Sequence, residues 1–271
     1  MTTDQKVVGS TPAERARQSV LALSEADHLM KYEQSISRIG DRPGSGLQQW
    51  LARRTVSRFL ADVKTATVLE IGTGVGRIAD EISRRGFTYV GVEPTGSLRI
   101  ATQQRLAQIN SENLVIDSSL PKLDGLEDNF FSHALAVHVL EHADSADTAF
   151  EWLNGMARKV RVGGRILIVC PNFLDLRGHF FDTDWTHQWV STTSRIAVLG
   201  EELGLKVVEE FDLRCTFKNI FARFALSLLS ALFPTQLMNS LFQRAFNLRN
   251  FGSGIQTALF WRMSWVEFER I

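Results

Sequence analysis

From Thr65 onward, short apolar runs rich in β-branched residues alternate with longer stretches of helical period. The runs are "TATVLEIG", "TYVGVE", "NLVID", "FSHALAVHV" and "GRILIVCP". Helical patterns fall between them, to about Arg85, from about Ser97, and from about Ala146 to Val160. Strands separated by helices pair in parallel through right-handed crossovers. The pattern therefore predicts an α/β domain, a mostly parallel sheet with helices on both faces, over residues 64–271. Upstream, 1–15 reads as a flexible tail. Residues 16–63 read as an N-terminal helical cap, interrupted where "GDRPGSG" ends any helix. Downstream, "KVVEEFDLR" and "TALFWRMSWVEFE" read as late, partly antiparallel strands. Between them a helical insertion, about 216–250, is too long and apolar for an ordinary connection.

Pro234 divides that insertion into two helices. Phe221, Phe224, Ala225, Leu228, Leu229 and Leu232 share a stripe on the first; Leu237, Leu241, Phe242 and Ala245 share one on the second. Such stripes pack on the domain core, cover an apolar acceptor, form a dimer interface, or rest on a membrane. The uncharged run Phe224 to Phe233 is about half of the roughly 20 residues needed to span a bilayer. A substrate cover that also touches lipid through 219–248 is the favoured expectation, with self-association open.

Composition narrows the function classes. The 271 residues are 44% hydrophobic, enough for a full core, and 30 basic residues balance 30 acidic ones. Zero net charge argues against a broad electropositive surface, so no nucleic-acid partner is expected. Cys170 and Cys215 lack metal-ligand spacing and read as buried thiols of a reducing compartment. The N-terminus lacks the apolar core of a secretory signal. A cytoplasmic location, peripheral at a membrane through 219–248, is the expectation.

The candidate chemistry starts at "VLEIGTGVGRIADEI". A strand feeding a glycine turn into a helix is a general small-ligand device, because glycine admits close backbone approach and the helix end offers N–H groups. A dinucleotide loop would want its third glycine where Arg77 stands. Here the order is Glu70, Gly72, Gly74, Gly76. Glu70 would put a negative charge at the mouth, which suits an ammonium rather than a phosphate. Glu93 ends the next strand, where a carboxylate accepts both hydroxyls of a ribose. The ligand so described is a nucleoside with a cationic, phosphate-free tail.

With these features, the stretch from about Thr65 to Asn172 resembles the class I S-adenosylmethionine-dependent methyltransferases. The resemblance implies a Rossmann-like seven-stranded sheet and S-adenosyl-L-methionine as cofactor. It implies that Glu70, Gly72, Thr73, Gly74 and Gly76 hold the methionine end, Glu93 and Pro94 the ribose, and Asp117 and Ser118 the adenine side, with Val137 at the end of the fourth strand. "HVLEH" at His138 to His142 and "ARKVRVGGRILIVCPN" continue the family order. The family's common Asp at the fourth strand is Ser132 here. The wider group includes ubiquinone-pathway and sugar O-methyltransferases. The implied activity is methyl transfer to a small-molecule or lipid- or glycan-linked acceptor, preferably at oxygen. RNA or protein methylation, and a fold that binds without catalysing, are the alternatives.

A sulfonium methyl is already electrophilic, so the enzyme must align the acceptor and, for an alcohol, take its proton. His187 is the first candidate base or orienting group and His138 the second. The competing reading of "DWTHQW" is a loop lock, with His187 bonded to backbone beneath the tryptophans. His142 reads as structural. Asp182, Asp184 and His187 offer metal donors, but carboxylates in a loop more often cap helices or pair with arginines such as Arg177, so no metal site is assigned.

Overall fold

A computed structural model describes residues 45–109, 112–178, 180–181, 184, 186–214, 221, 225, 228–229, 232–248 and 262–271. The chain divides into two units, Met1–Leu47 and Gln48–Ile271. Of the first, only 45–47 are described, as the opening of helix α1 (Ser45–Phe59). The tail and the earlier helices of the expected cap lie outside the described residues.

The second unit alternates as the sequence pattern requires: β1 (Thr67–Ile71), α2 (Arg77–Arg84), β2 (Thr88–Val92), α3 (Gly96–Ala107), β3 (Leu114–Ile116), β4 (Phe131–Val137), α4 (Ala146–Lys159), β5 (Val160–Pro171). A one-turn helix α5 (Phe173–Leu176), then α6 (Thr193–Glu202), β6 (Leu205–Arg214), α7 (Thr235–Phe246) and β7 (Arg262–Arg270) complete it. The seven-stranded sheet has the order β3-β2-β1-β4-β5-β7-β6. β1 pairs in parallel with β2 and β4, and β7 runs antiparallel to β5 and β6. The order reverses at β1, so the carboxyl ends of β1 and β4 flank a crevice where ligands of open α/β sheets bind.

Side chains alternate across the strands and fill both faces. On one face Leu69, Ile71, Ala134, Ile166, Ile168, Val266 and Phe268 share a buried core; on the other, Val68, Leu135, Leu167, Val169 and Trp265 pack with Leu51, Val56 and Phe59 of α1. Each fully buried side chain of this size contributes about 1.5–3 kcal/mol. Residues 48–63, read from sequence as the end of the N-terminal cap, lie in the second unit, where Leu51, Val56 and Phe59 join its core. Arg53, on the opposite side of α1, is exposed and bonds Glu81 at 2.8 Å.

Local signals set the boundaries. Ser145 accepts from the Thr148 backbone N–H to open α4, and Thr192 accepts from the Arg195 N–H to open α6. Ser132, where the family has Asp, ties the entry of β4 to β1: its hydroxyl accepts from Thr67 N–H at 3.1 Å and donates to Thr67 C=O at 3.1 Å. β5 starts earlier than its apolar run, pairing Val160 with Phe131. The ladder register then shifts near the glycine pair, where Gly163 has φ 75°.

The late insertion departs from core packing. Among its described stripe residues, Phe221, Leu228, Leu229, Leu232, Leu237 and Leu241 are 54–82% exposed, while Phe242 is half-buried. No helix among the described residues is long and apolar enough to cross a membrane.

Candidate functional site

The glycine loop follows β1 directly. Gly72, Gly74 and Gly76 all take left-handed φ values, 73°, 53° and 75°, which other residues adopt only with strain. Their surroundings differ. A Cβ on Gly72 would lie 2.7 Å from Val139, and one on Gly76 would lie 2.8 Å from Thr102. A Cβ on Gly74 would meet nothing within 4 Å, so this backbone faces open space. Thr73, between them, has a buried hydroxyl oxygen without a hydrogen-bond partner in the protein.

Glu93 holds that loop. It is 5% exposed, and its Oε2 accepts from Gly74 N–H at 2.8 Å while Oε1 accepts from Thr95 N–H at 3.0 Å. Each oxygen keeps a second acceptor position, so the carboxylate fixes the loop and still suits a diol. Pro94 is exposed beside it. Arg99 of α3 donates to Glu93 C=O at 2.8 Å and pairs with Asp117 at 2.9 Å, bringing the ends of β2 and β3 together. Asp117 is 70% exposed at its side chain, and Ser118, after β3, and Val137, at the end of β4, are half-buried. Arg99 was not singled out from sequence, since an arginine inside a helix reads as surface until the strand ends are placed beside it.

Glu70 does not face the mouth as expected. Its side chain is 2% exposed and accepts a hydrogen bond from the Tyr89 hydroxyl at 2.6 Å. Gly91 makes this possible, because a Cβ there would lie 2.6 Å from that hydroxyl. Burial, with the Glu93 charge nearby, pushes the Glu70 carboxyl up to about 8 from 4.5, against the opposing Tyr89 bond. The folded chain therefore keeps a proton that the unfolded chain loses. The resulting stabilisation is complete below 4.5 and disappears as pH rises through about 8. Urea titrations of the ligand-free protein should show stability falling by up to about 1.4 kcal/mol per pH unit inside that window. Glu70→Gln, which keeps an acceptor for Tyr89, should lack this component; identical pH slopes in both proteins would refute the assignment.

At the end of β4 the chain turns sharply. His138 sits at φ 59°, a left-handed value uncommon outside glycine and of the kind that clusters at functional sites. Its Nδ1 lies 3.1 Å from Oε1 of Glu141, whose residue is fully buried. Burial raises the Glu141 carboxyl, but the bond from His138 and the nearby charges of His138 and His142 outweigh it and leave the group below its ordinary range. The carboxylate accepts, so Nδ1–H donates and the lone pair of a neutral His138 ring lies on Nε2, on a side chain 37% exposed.

His187 is 9% exposed, with Nδ1 2.8 Å from Phe180 C=O. Burial holds its imidazole below the usual histidine range. The loop-lock reading thus describes its Nδ1 side: Gln188 and Trp189 N–H groups both bond Glu141 C=O, at 2.9 and 3.1 Å, and Trp189 is buried. The same contacts carry His187 to His142, with ring centroids 5.1 Å apart. Sequence reasoning gives Glu141 no role of its own and reads His142 as structural; the signal for both is their position three and four residues after His138. Asp175 pairs with Arg262 at 2.7 Å, while Asp184 accepts from the Thr186 N–H at 2.9 Å. Cys170 is buried, its thiol raised by burial beside Glu141. His179, Asp182, Trp185 and Cys215 lie outside the described residues.

Comparison with known proteins agrees with this geometry. Residues 47–210 match the family described as a methyltransferase domain. An uncharacterized protein of Mycobacterium tuberculosis, Rv1509, is 25% identical over 130 residues, 45% of this chain and 42% of that protein. The chain thus matches less than half the length of this curated relative. Among solved structures, BH2331 of Bacillus halodurans C-125 superposes with a TM-score of 0.57 at 12% identity, covering 80% of this chain and 98% of that one. Magnesium protoporphyrin IX methyltransferase of Synechocystis PCC 6803, solved with S-adenosylhomocysteine, gives 0.55 at 12% identity, covering 83% and 84%. The N-methyltransferase NodS of Bradyrhizobium japonicum WM9 gives 0.54 at 12% identity, covering 85% and 98%. The open cradle at Gly74, the orphaned Thr73 hydroxyl and the carboxylate at the end of β2 fit the nucleoside ligand such enzymes share, and with the family match over most of the sheet they place this chain in the class I S-adenosylmethionine-dependent methyltransferases.

Proposed function

We propose that the chain transfers the S-adenosylmethionine methyl group to an oxygen of a small-molecule acceptor, lipid- or glycan-linked, with His138 as the proton acceptor. When bound, the cofactor supplies an electrophilic sulfonium methyl. The remaining work falls to the protein: Glu93 and the glycine loop hold the nucleoside, and the end of β4 receives the acceptor's proton.

The observation that carries this reading is the His138–Glu141 pair. A nitrogen or sulfur nucleophile can attack once its lone pair is available, whereas an alcohol must also lose a proton near the transition state. A histidine with Nδ1 anchored to a buried carboxylate, and Nε2 as the basic atom on a partly exposed side chain, is equipped for that loss. These features favour His138 over His187 as the base, reversing the order expected from sequence, because His187 is more deeply buried.

The lipid-linked character is supported by the exposure of Phe221, Leu228, Leu229, Leu232, Leu237 and Leu241 in the insertion. Protein incubated with methyl-labelled S-adenosylmethionine and cell extracts should label ethers or esters in the organic fraction. Replacing Phe221, Leu228 and Leu241 with serine should preserve cofactor binding and thermal stability but reduce this labelling about tenfold or more, since each lost side chain contributes on the order of 1 kcal/mol or more. Labelling confined to water-soluble amines would overturn the oxygen reading. A triple variant with full organic-phase labelling would overturn the lipid-facing cover.

A further inference from the structure

We propose that Glu141, His142 and His187 form a divalent transition-metal site beside the methyl-transfer crevice, which binds and activates the acceptor oxygen. The proposal deepens the oxygen-methylation reading above and rests on it for the metal's role, though not for its binding.

One candidate ligand atom from each of the three residues lies within 4.8 Å of the others. A ligand is indicated independently by Glu141. The residue is fully buried; Oε1 is engaged by His138, while Oε2 is buried without a hydrogen-bond partner by geometry, the carboxylate having beside it only the weak Cys170 thiol donor. A buried carboxylate oxygen left in this state is costly, and a cation is the partner that a carboxylate next to two imidazoles can take.

Proton accounting prepares both rings as ligands. Phe180 C=O can only accept, so His187 Nδ1 carries a hydrogen and Nε2 carries the lone pair. The Thr186 hydroxyl is 2.7 Å from Asp184 Oδ1, to which it gives its single hydrogen. Thr186 Oγ1 is therefore the acceptor in its 2.8 Å contact with His142 Nδ1, again leaving the lone pair on Nε2. Metal-binding histidines usually have the other ring nitrogen anchored in this way, to a carbonyl or, through one intermediary, to a carboxylate.

Two imidazoles and one carboxylate suit zinc, cobalt or manganese and leave coordination positions open, as in catalytic rather than structural sites. An acceptor hydroxyl held at such a position becomes more acidic. Its proton passes to His138, the oxygen lone pair forms the new O–CH3 bond, and the S–CH3 bond breaks with its electron pair remaining on sulfur. The products are the methylated acceptor and S-adenosylhomocysteine, with no redox change.

The test is a cobalt(II) titration of chelator-treated full-length protein, followed by visible absorption, with zinc stoichiometry from elemental analysis. One ion per chain and the intense bands of a low-symmetry nitrogen–oxygen site are expected. His187→Ala and Glu141→Gln should each weaken binding more than about a hundredfold, beyond the range for losing an outer-shell partner. S-adenosylmethionine affinity, measured in parallel, should remain within a few fold and reports that each variant is folded. If Glu141→Gln fails that check, His142→Ala takes its place. No cobalt bands in the wild type, or unchanged titrations in the folded variants, would overturn the site. Cobalt binding by an enzyme that methylates only amines would keep the site and remove the oxygen reading. Alcohol methylation insensitive to chelator, without cobalt bands, would do the reverse.

Discussion

Gly74→Asp should abolish measurable S-adenosylmethionine binding while leaving the protein folded, at a stability cost of only about 1–2 kcal/mol. The two halves of this expectation have separate causes. Gly74 has φ 53°, where an L-residue costs about 1–2 kcal/mol and aspartate is among the better tolerated. Its Cβ would meet no protein atom within 4 Å, so no steric penalty is added inside the domain. The carboxylate would instead occupy the open space bordered by the loop, and it would stand close to Glu93, whose Oε2 already takes the Gly74 N–H. A ligand using that space loses its seat and meets a second negative charge where the ribose is expected to bond. Calorimetry should give a dissociation constant at least about a thousandfold weaker for the cofactor and its demethylated product, equivalent to about 4 kcal/mol. Gly76→Ala is the informative contrast. Its Cβ would lie 2.8 Å from Thr102 Cγ2, and Thr102 donates to Gly74 C=O at 3.0 Å, so this smaller change should lower thermal stability as well. Wild-type affinity in a folded Gly74→Asp protein would place the cofactor elsewhere.

The difference between those two glycines marks the limit of what the sequence discloses. Spacing and strand order locate the loop, Glu93 and the parallel sheet, because period-two burial and glycine punctuation are local properties. Spacing does not say which glycine faces solvent-filled space and which touches Thr102; that depends on how α3 returns against α2. Glu70 shows the same limit. A carboxylate after an apolar strand reads as a boundary charge, and only the register that sets Glu70 opposite Gly91 buries it against Tyr89. Ser132 is a milder case: its hydroxyl accepts from Thr67 N–H, as an aspartate could, and also donates to Thr67 C=O, which an ionised carboxylate cannot do.

The cluster beyond β4 was less legible because it is assembled across long sequence separations. His187 approaches His142 through a loop whose N–H groups bond Glu141 C=O, and no local periodicity encodes that return. The second half of the apolar insertion, Thr235–Phe246, was legible as helix, but whether its stripe is covered is a tertiary property. The insertion's described residues are exposed or half-buried, and none of those in Thr235–Phe246 is buried, which favours a role outside the core.

His138→Ala should lower turnover with an alcohol acceptor by at least about a hundredfold, the scale of a lost general base, while cofactor affinity changes little. A purely structural role for the ring makes a different forecast. His138 lies at φ 59° and anchors Glu141 at 3.1 Å, so removing it also leaves a fully buried carboxylate with one bond fewer. That loss alone would destabilise the turn and slow every acceptor equally. Two readouts separate the cases. Added imidazole should restore part of the turnover in His138→Ala if a missing base is the defect, because the deletion leaves room for a ring that can take the proton. His138→Gln, which can still donate to Glu141 Oε1, should recover stability but remain slow. Recovery of full turnover in His138→Gln, or a His138→Ala protein as active as the wild type, would remove His138 as the proton acceptor and leave alignment against the sulfonium methyl as the whole of the catalysis.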